Sequence, residues 1–279
     1  MTIGDWVWDE TLFEGASAYY AAGRPPYVAG WVDVLVDTLE LDGLGRLADV
    51  GCGPGTLGLA LADRFAEVVG LDPDDGMIAQ AASRAEAAGL AGRTRWIEAR
   101  AEQWPEGLGT FTVAVFGQSF HWMDRDLVAA KVRDALVPGG ACVLISKPHV
   151  DVLGREPVPH PATPTDRIKA LAESYLGPVW RAGQGTLPNG TPGGESAVLE
   201  RAGFGDFEGH LLPGGAHLER TADVVVAEVF SLSGSAPHLF GERLAEFEAD
   251  LRRLLAEVSP SGLFSRRQPS TEIRIWRRP

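Results

Sequence analysis

Cysteine is scarce in this chain. Only Cys52 and Cys142 occur in 279 residues, too few for a disulfide framework and without the C-x-x-C spacing of zinc or redox sites. That usage suits a reducing compartment, so a cytoplasmic location is expected. Long apolar runs are missing too: no stretch of 18 uncharged apolar residues is present, which argues against a transmembrane helix and a membrane partner. The first 14 residues carry Asp5, Asp9 and Glu10 and lack a basic start, so they do not read as a secretory signal. Basic patches are equally sparse. The formal net charge is -13, and the densest basic cluster, Arg266 and Arg267 with Arg274, Arg277 and Arg278, reads as a solvated edge near the C-terminal end. A phosphate backbone would meet net repulsion, so no nucleic-acid partner is expected. Six histidines are present, none in an H-E-x-x-H spacing, and no metal site is expected. No internal repeat is apparent.

What the chain does contain is the composition of a folding globular protein, 45% hydrophobic and 23% charged. Residues 16–22 and 28–39 read as helical pieces separated by Gly23-Arg24-Pro25-Pro26, whose prolines fix the turn. A strand over 47–50 runs into Gly51-Cys52-Gly53-Pro54-Gly55. A helix follows over 56–65, with Leu57, Leu61 and Phe65 on one face. Residues 67–71 form the next strand, ending at Asp72; 77–89 an Ala-rich helix closed by Gly89; 94–98 a third strand. The continuous apolar run 111–116 suits a central strand covered on both faces. A helix over 126–136 stops at Val137-Pro138-Gly139-Gly140, before a fifth strand at 141–146. Alternation of this kind predicts an α/β fold with a parallel sheet and helices on both faces. Four segments follow: a helical lid at 1–45, a core at 46–146, a Pro- and Gly-rich cap at 147–195 with one helix at 167–176, and the remaining core at 196–279. In the last segment 195–202 reads as helix, 204–212 as strand, 221–230 as a short apolar run, 239–258 as helix and 271–276 as strand.

The motif Asp49-Val50-Gly51-Cys52-Gly53-Pro54-Gly55-Thr56 ends a strand and opens a helix. Glycines there allow a tight turn and close approach of backbone to a ligand, and the helix start offers free amide donors. Gly53-x-Gly55-x-x-Gly58 loosely fits a dinucleotide fingerprint. Asp49, however, would oppose a pyrophosphate and suits a cationic ligand carrying an amino group. Asp72 lies about 20 residues beyond, where a carboxylate can accept both hydroxyls of a ribose; an Asp before a proline can also cap a helix.

With these residues the chain resembles the class I, Rossmann-like S-adenosylmethionine-dependent methyltransferases, and among them small-molecule enzymes with a D-V-G-C-G-x-G motif. The resemblance implies strand order 3-2-1-4-5-7-6 with the seventh strand antiparallel, and S-adenosylmethionine as cofactor. It implies that Asp49, Gly51, Cys52, Gly53 and Gly55 surround the methionine portion, that Asp72 holds the ribose, and that Pro73 and Met77 border the adenine. Ala101 and Glu102 would face the adenine edge, Gln118 and Ser119 the sulfonium. Tyr20 and Arg24 would reach the cofactor carboxylate. The segment Phe120-His121-Trp122-Met123-Asp124 is similar to the same relatives.

Methyl transfer demands alignment and exclusion of water, with a base only if the acceptor must lose its proton first. His121 is the candidate base, with packing beside Trp122 as its alternative role; His149 is a second option. Trp6, Trp8, Phe13, Tyr19, Tyr27 and Trp180 would suit an apolar or aromatic small-molecule acceptor, of the kind made in specialised biosynthesis, if they line the cleft. Two other functions fit less of the sequence: a non-catalytic S-adenosylmethionine-binding or protein-interaction module, and a nicotinamide-dependent oxidoreductase.

Overall fold

A computed structural model describes residues 9, 11–148, 157–178 and 194–279. Its main sheet is built from β1 (Arg46–Val50), β2 (Glu67–Asp72), β3 (Thr94–Glu98), β4 (Phe111–Gly117), β5 (Leu136–Ser146), β6 (Phe207–Leu212) and β9 (Thr271–Arg277). The spatial order is β3-β2-β1-β4-β5-β9-β6. The first five strands are parallel to their neighbours, and β9 runs antiparallel to both β5 and β6. This is the order expected from the sequence, with β6 and β9 as the sixth and seventh core strands.

Alternation along the central strands explains why both faces are covered. Leu47, Val113, Val115, Val143 and Ile145 point to one face with Ile273 and Ile275, against Trp31 and Leu35 of α2 (Trp31–Leu39) and Leu57 and Leu61 of α3 (Thr56–Leu61). Ala48, Val50, Ala114, Phe116, Cys142 and Leu144 point to the other, against Val128 and Val132 of α5 (Arg125–Ala135) and Val198 and Leu199 of α7 (Glu195–Arg201). A period of two residues places successive side chains on opposite faces, so a strand buried on both sides is apolar throughout. The exception is Asp49, 1% exposed and on the α3 face.

A third layer lies outside the sheet. It comprises α6 (Thr165–Leu176), β7 (His217–Thr221), α8 (Ala222–Phe230), α9 (Leu244–Val258) and β8 (Leu263–Arg267), with β7 and β8 paired antiparallel. Ile168, Val225, Val229, Phe230, Phe247, Leu251 and Phe264 form its core. The helical layer therefore draws on 217–267 as well as on residues 165–176. Residues 221–230, read as an apolar run of no stated type, are mostly helix: α8 buries Val225, Val226, Ala227, Val229 and Phe230, so no polar stripe marks its period. The helix α1 (Ser17–Gly23) packs on α8 and on α4 (Asp75–Ala87), which brings the N-terminal segment over the carboxyl ends of the strands.

Candidate active site

The glycine turn leaves β1 with Gly51 and Cys52 both donating their N–H groups to the carbonyl of Leu71, at 2.8 and 3.0 Å. This clamps the turn to the end of β2. Gly51, Gly53 and Gly55 all have positive φ, the left-handed region that L side chains rarely adopt. A Cβ on Gly51 would lie 2.5 Å from Cβ of Ser119, whereas one on Gly53 would meet nothing nearer than Tyr20 at 4.0 Å. Gly51 is thus small because protein fills the space, and Gly53 presents bare backbone to a cavity.

Two carboxylates brace the turn. Asp49 accepts the Gly58 N–H at 2.8 Å, which occupies a helix-start donor that a pyrophosphate would need. Asp72 accepts the Gly53 N–H at 2.8 Å on one oxygen and the Asp74 N–H at 3.0 Å on the other. A carboxylate has about four acceptor positions, so Asp72 keeps capacity for two hydroxyls. Burial raises the Asp49 carboxyl to about 7 and the Asp72 carboxyl to about 6, against the opposing pull of these backbone donors. A positively charged ligand would restore both to the ionised form. The cap of α4 is Asp74, which accepts from Met77 N–H at 2.8 Å; the capping role considered for Asp72 falls two residues later.

A cavity opens over this turn. Tyr20, Gly51, Gly53, Asp72, Pro73, Met77, Ala101, Glu102, Gln118 and Ser119, ten of the residues singled out in the sequence, line it. Phe13 and Trp122 stand 5.4 Å apart edge-to-face in its wall. Glu102 accepts the Asp124 N–H at 2.8 Å, and Ser119 donates to the Val50 carbonyl at 2.5 Å. These bonds tie the loops after β3 and β4 to the core. Gln118 has φ 58°, a conformation costing a non-glycine residue on the order of 1–2 kcal/mol.

A second, wider cavity shares Tyr20, Gly51, Gly53, Gly117 and Gln118 with the first. Arg24, Asp49 and Cys52 line it. Arg24 donates to the Ser231 carbonyl at 2.7 Å and lies 4.7 Å from the Tyr20 ring, while its Nε is buried without a partner. Burial drives the Cys52 thiol well above its usual range, which leaves it a packing residue rather than a thiolate.

Two of the sequence-selected residues line neither cavity. Gly55 faces Trp96 and Ala81 at the start of α3. His121 sits in a short 3₁₀ turn, its ring 5.0 Å from that of Trp122; burial lowers its pKa to about 4, so it is neutral at pH 7. His149, Trp6, Trp8 and Trp180 fall outside the described residues. Tyr19 instead packs on Phe230, whereas Tyr27, packed on Trp31, lines the second cavity. Among the described residues no group of His, Cys, Asp and Glu could hold a metal ion, and no single helix is long and apolar enough to cross a membrane. Sequence reasoning missed Leu12, Asp74 and Arg100 in the first cavity and Lys147, Glu228 and Arg266 in the second. Only Asp74 carried a local signal, as an N-cap ahead of α4.

The geometry suits the S-adenosylmethionine expected from the sequence. The bare backbone at Gly53, the spare acceptors of Asp72, the apolar slot at Met77 and Ala101, and the unpartnered Arg24 Nε fit a ligand with a ribose, a flat base and a charged amino-acid tail.

Residues 47–140 match the family model described as a methyltransferase domain. The chain is 31% identical over 102 residues to an uncharacterized RNA methyltransferase of Thermosynechococcus vestitus, covering 36% of this chain and 22% of that one. It is 32% identical over 120 residues to the trans-aconitate 2-methyltransferase of Rhodopseudomonas palustris, covering 42% and 44%. The chain thus spans less than half the length of either. The solved structure of the [4+2]-cyclase SpnF superposes with a TM-score of 0.53 at 20% identity, covering 96% of this chain and 94% of that one, which shows a shared fold. The domain match lies over the glycine turn and Asp72, and the seven-stranded order surrounds it, so this part of the chain is similar to a methyltransferase domain.

Proposed function

We propose that the protein transfers a methyl group from S-adenosylmethionine to a small-molecule acceptor, within the subfamily carrying the D-V-G-C-G-x-G motif. The observation that carries this reading is Asp72, braced by two backbone N–H groups in the wall of a cavity lined by the glycine turn. S-adenosylmethionine, when bound, supplies the methyl group on a sulfonium. Asp72 would hold the ribose, Met77, Pro73, Ala101 and Glu102 the adenine, and Asp49, Gly51, Cys52 and Gly53 the methionine portion. Gly55 would contribute through the turn, Tyr20 and Arg24 would hold the carboxylate, and Gln118 and Ser119 would border the reacting centre. Their part is positioning and exclusion of water.

His121 is the candidate general base for an acceptor that must be deprotonated. Outside both cavities and with a pKa lowered to about 4 by burial, it is a weak proton acceptor there, and packing beside Trp122 is the role the geometry favours. We further infer a cytoplasmic enzyme of specialised biosynthesis whose cap comprises 147–195. A nucleic-acid acceptor is disfavoured by the net charge of -13, although one relative is named as an RNA methyltransferase.

The test is calorimetric titration of cofactor-stripped protein with S-adenosylmethionine, S-adenosylhomocysteine and NADH. Micromolar binding of the sulfur ligands, lost in Asp72→Ala, supports the reading. NADH binding without them overturns it, as does binding of none of the three, which points to a protein-interaction role.

A further inference from the structure

Four cationic side chains line the second cavity of a chain whose formal net charge is -13. They are Arg24, Arg84, Lys147 and Arg266, with Asp49 and Glu228 as the acids; Arg84 donates to the Pro54 carbonyl and Asp49 accepts from the Gly58 N–H, both at the glycine turn, whereas Glu228 lies on the α8 side. Glu228 is already committed: one oxygen bonds Arg266, and the other lies 3.4 Å from the buried Arg220. Lys147 donates to the Pro25 carbonyl at 2.5 Å and sits 4.1 Å from the centre of the Tyr27 ring. Among the described residues no carboxylate comes within ion-pair distance of it. An ammonium has three donors, and a buried cation without a counter-charge is costly. Burial and the neighbouring guanidinium groups of Arg24 and Arg266 lower the Lys147 ammonium to about 8.

Arg24 stacks near Tyr20 at the wall shared with the first cavity, where the proposed function places the cofactor carboxylate. Lys147 and Arg266 have no such claim on them. Arg266 also borders a third cavity, with which the second shares Glu228, Leu232 and Arg266. Beyond that junction one side of the wall is apolar, with Val158, Ile168, Val225 and Val229, while Thr163, Thr165, Ser265 and Arg267 line the rest. From Gln118 the second cavity thus passes Lys147 and Arg266 and adjoins a recess with an apolar side at Ile168, Val225 and Val229.

We propose that Lys147 and Arg266 form the anion-binding half of the acceptor site, which takes a small carboxylate whose apolar body lies toward Ile168, Val225 and Val229. This rests on the methyl-transfer reading for its role as an acceptor site. The binding itself can be tested apart from that reading.

The experiment titrates full-length protein, with and without saturating S-adenosylhomocysteine, with benzoate and octanoate and with the corresponding neutral amides. The wild type should bind the acids at least tenfold more tightly than the amides. Lys147→Gln should erase most of that preference, Lys147→Arg should keep it, and both should bind S-adenosylhomocysteine as the wild type does. Arg266→Gln tests the second cation; because it also breaks the Glu228 pair, its thermal midpoint is recorded alongside, and Lys147→Gln decides if that variant does not fold. Equal affinity for acids and amides overturns the proposal. So does a loss of S-adenosylhomocysteine binding in Lys147→Gln, which would make Lys147 a cofactor residue. If wild-type protein fails to bind S-adenosylhomocysteine, the methyl-transfer reading falls, while the acid-to-amide ratio on unliganded protein still decides the anion site.

Discussion

Replacing Asp72 with asparagine separates its two roles. In the structure one oxygen accepts from Gly53 and the other from Asp74. Asparagine can satisfy only one of those donors with its oxygen and turns an NH₂ toward the other, leaving a buried donor unpaired at a cost of about 1–3 kcal/mol. For a domain of this size each kcal/mol lowers the thermal midpoint by roughly 2–4 °C, so a drop of several degrees is expected. Ligand binding should suffer separately. A hydrogen bond to a charged acceptor contributes about 1.5–3 kcal/mol, or roughly a 10- to 150-fold change in affinity. The assay is calorimetry at pH 7.5, above the pKa of about 6 for Asp72, comparing S-adenosylhomocysteine with its 2′-deoxy analogue. Wild type should prefer the hydroxylated ligand by at least tenfold, and in Asp72→Asn that preference should collapse toward unity. A variant that loses thermal stability but keeps the full preference would show that Asp72 only braces the turn, and would refute its assignment to the ribose.

Gly51→Ala and Gly53→Ala should diverge although both positions have positive φ. The first forces a Cβ to 2.5 Å from Ser119 and should abolish soluble expression or lower the thermal midpoint by more than about 6 °C, from roughly 3 kcal/mol or more of strain and overpacking. The second should fold with a smaller loss yet bind S-adenosylhomocysteine at least tenfold more weakly; equal effects on folding would contradict the packing described. Asp49→Asn should gain stability relative to wild type as pH rises from 4.5 to 7.5. The raised folded-state pKa of about 7 means that the wild-type carboxyl contributes stability below its unfolded pKa and loses it as pH climbs through 7; a stability difference that is flat or shrinks over that range would refute this. Gln118→Gly relieves a left-handed backbone and should leave the thermal midpoint equal or higher while lowering kcat, measured on whichever acceptor is found. A fall of more than a few degrees would show that the side chain, and not the turn, holds the loop.

Strands β1, β2, β4 and β5 are legible because each carries a short run of buried apolar residues closed by a turn signal, whereas β3, Thr-Arg-Trp-Ile-Glu, is only partly buried and is marked by its place after the Gly89 stop. Asp49 and Asp72 stand out against that background as acids at strand ends. The outer layer is harder to read. β7 is His-Leu-Glu-Arg-Thr and β8 is Leu-Phe-Ser-Arg-Arg, both too polar and too short to announce themselves, and they pair across more than 40 residues of chain. Arg266 and Lys147 come together only through that pairing and the path of β5, so no local spacing could have linked them. Within the basic cluster taken for a solvated edge, Arg266 instead turns inward to Glu228, and Arg274 lies within 3.6 Å of Glu195.

The layer between β6 and β9 has an architectural property of its own. Leu212 and Thr271 are register partners, so residues 213–270 leave and rejoin the sheet at adjacent points on neighbouring strands. A segment whose two ends emerge side by side can be lengthened, shortened or exchanged without moving the strands that anchor it. Evolution can therefore rewrite the chamber above Gln118 while the glycine turn and Asp72 stay in place, and a designer could graft a different 213–270 segment onto the same pair of strands to reshape that chamber.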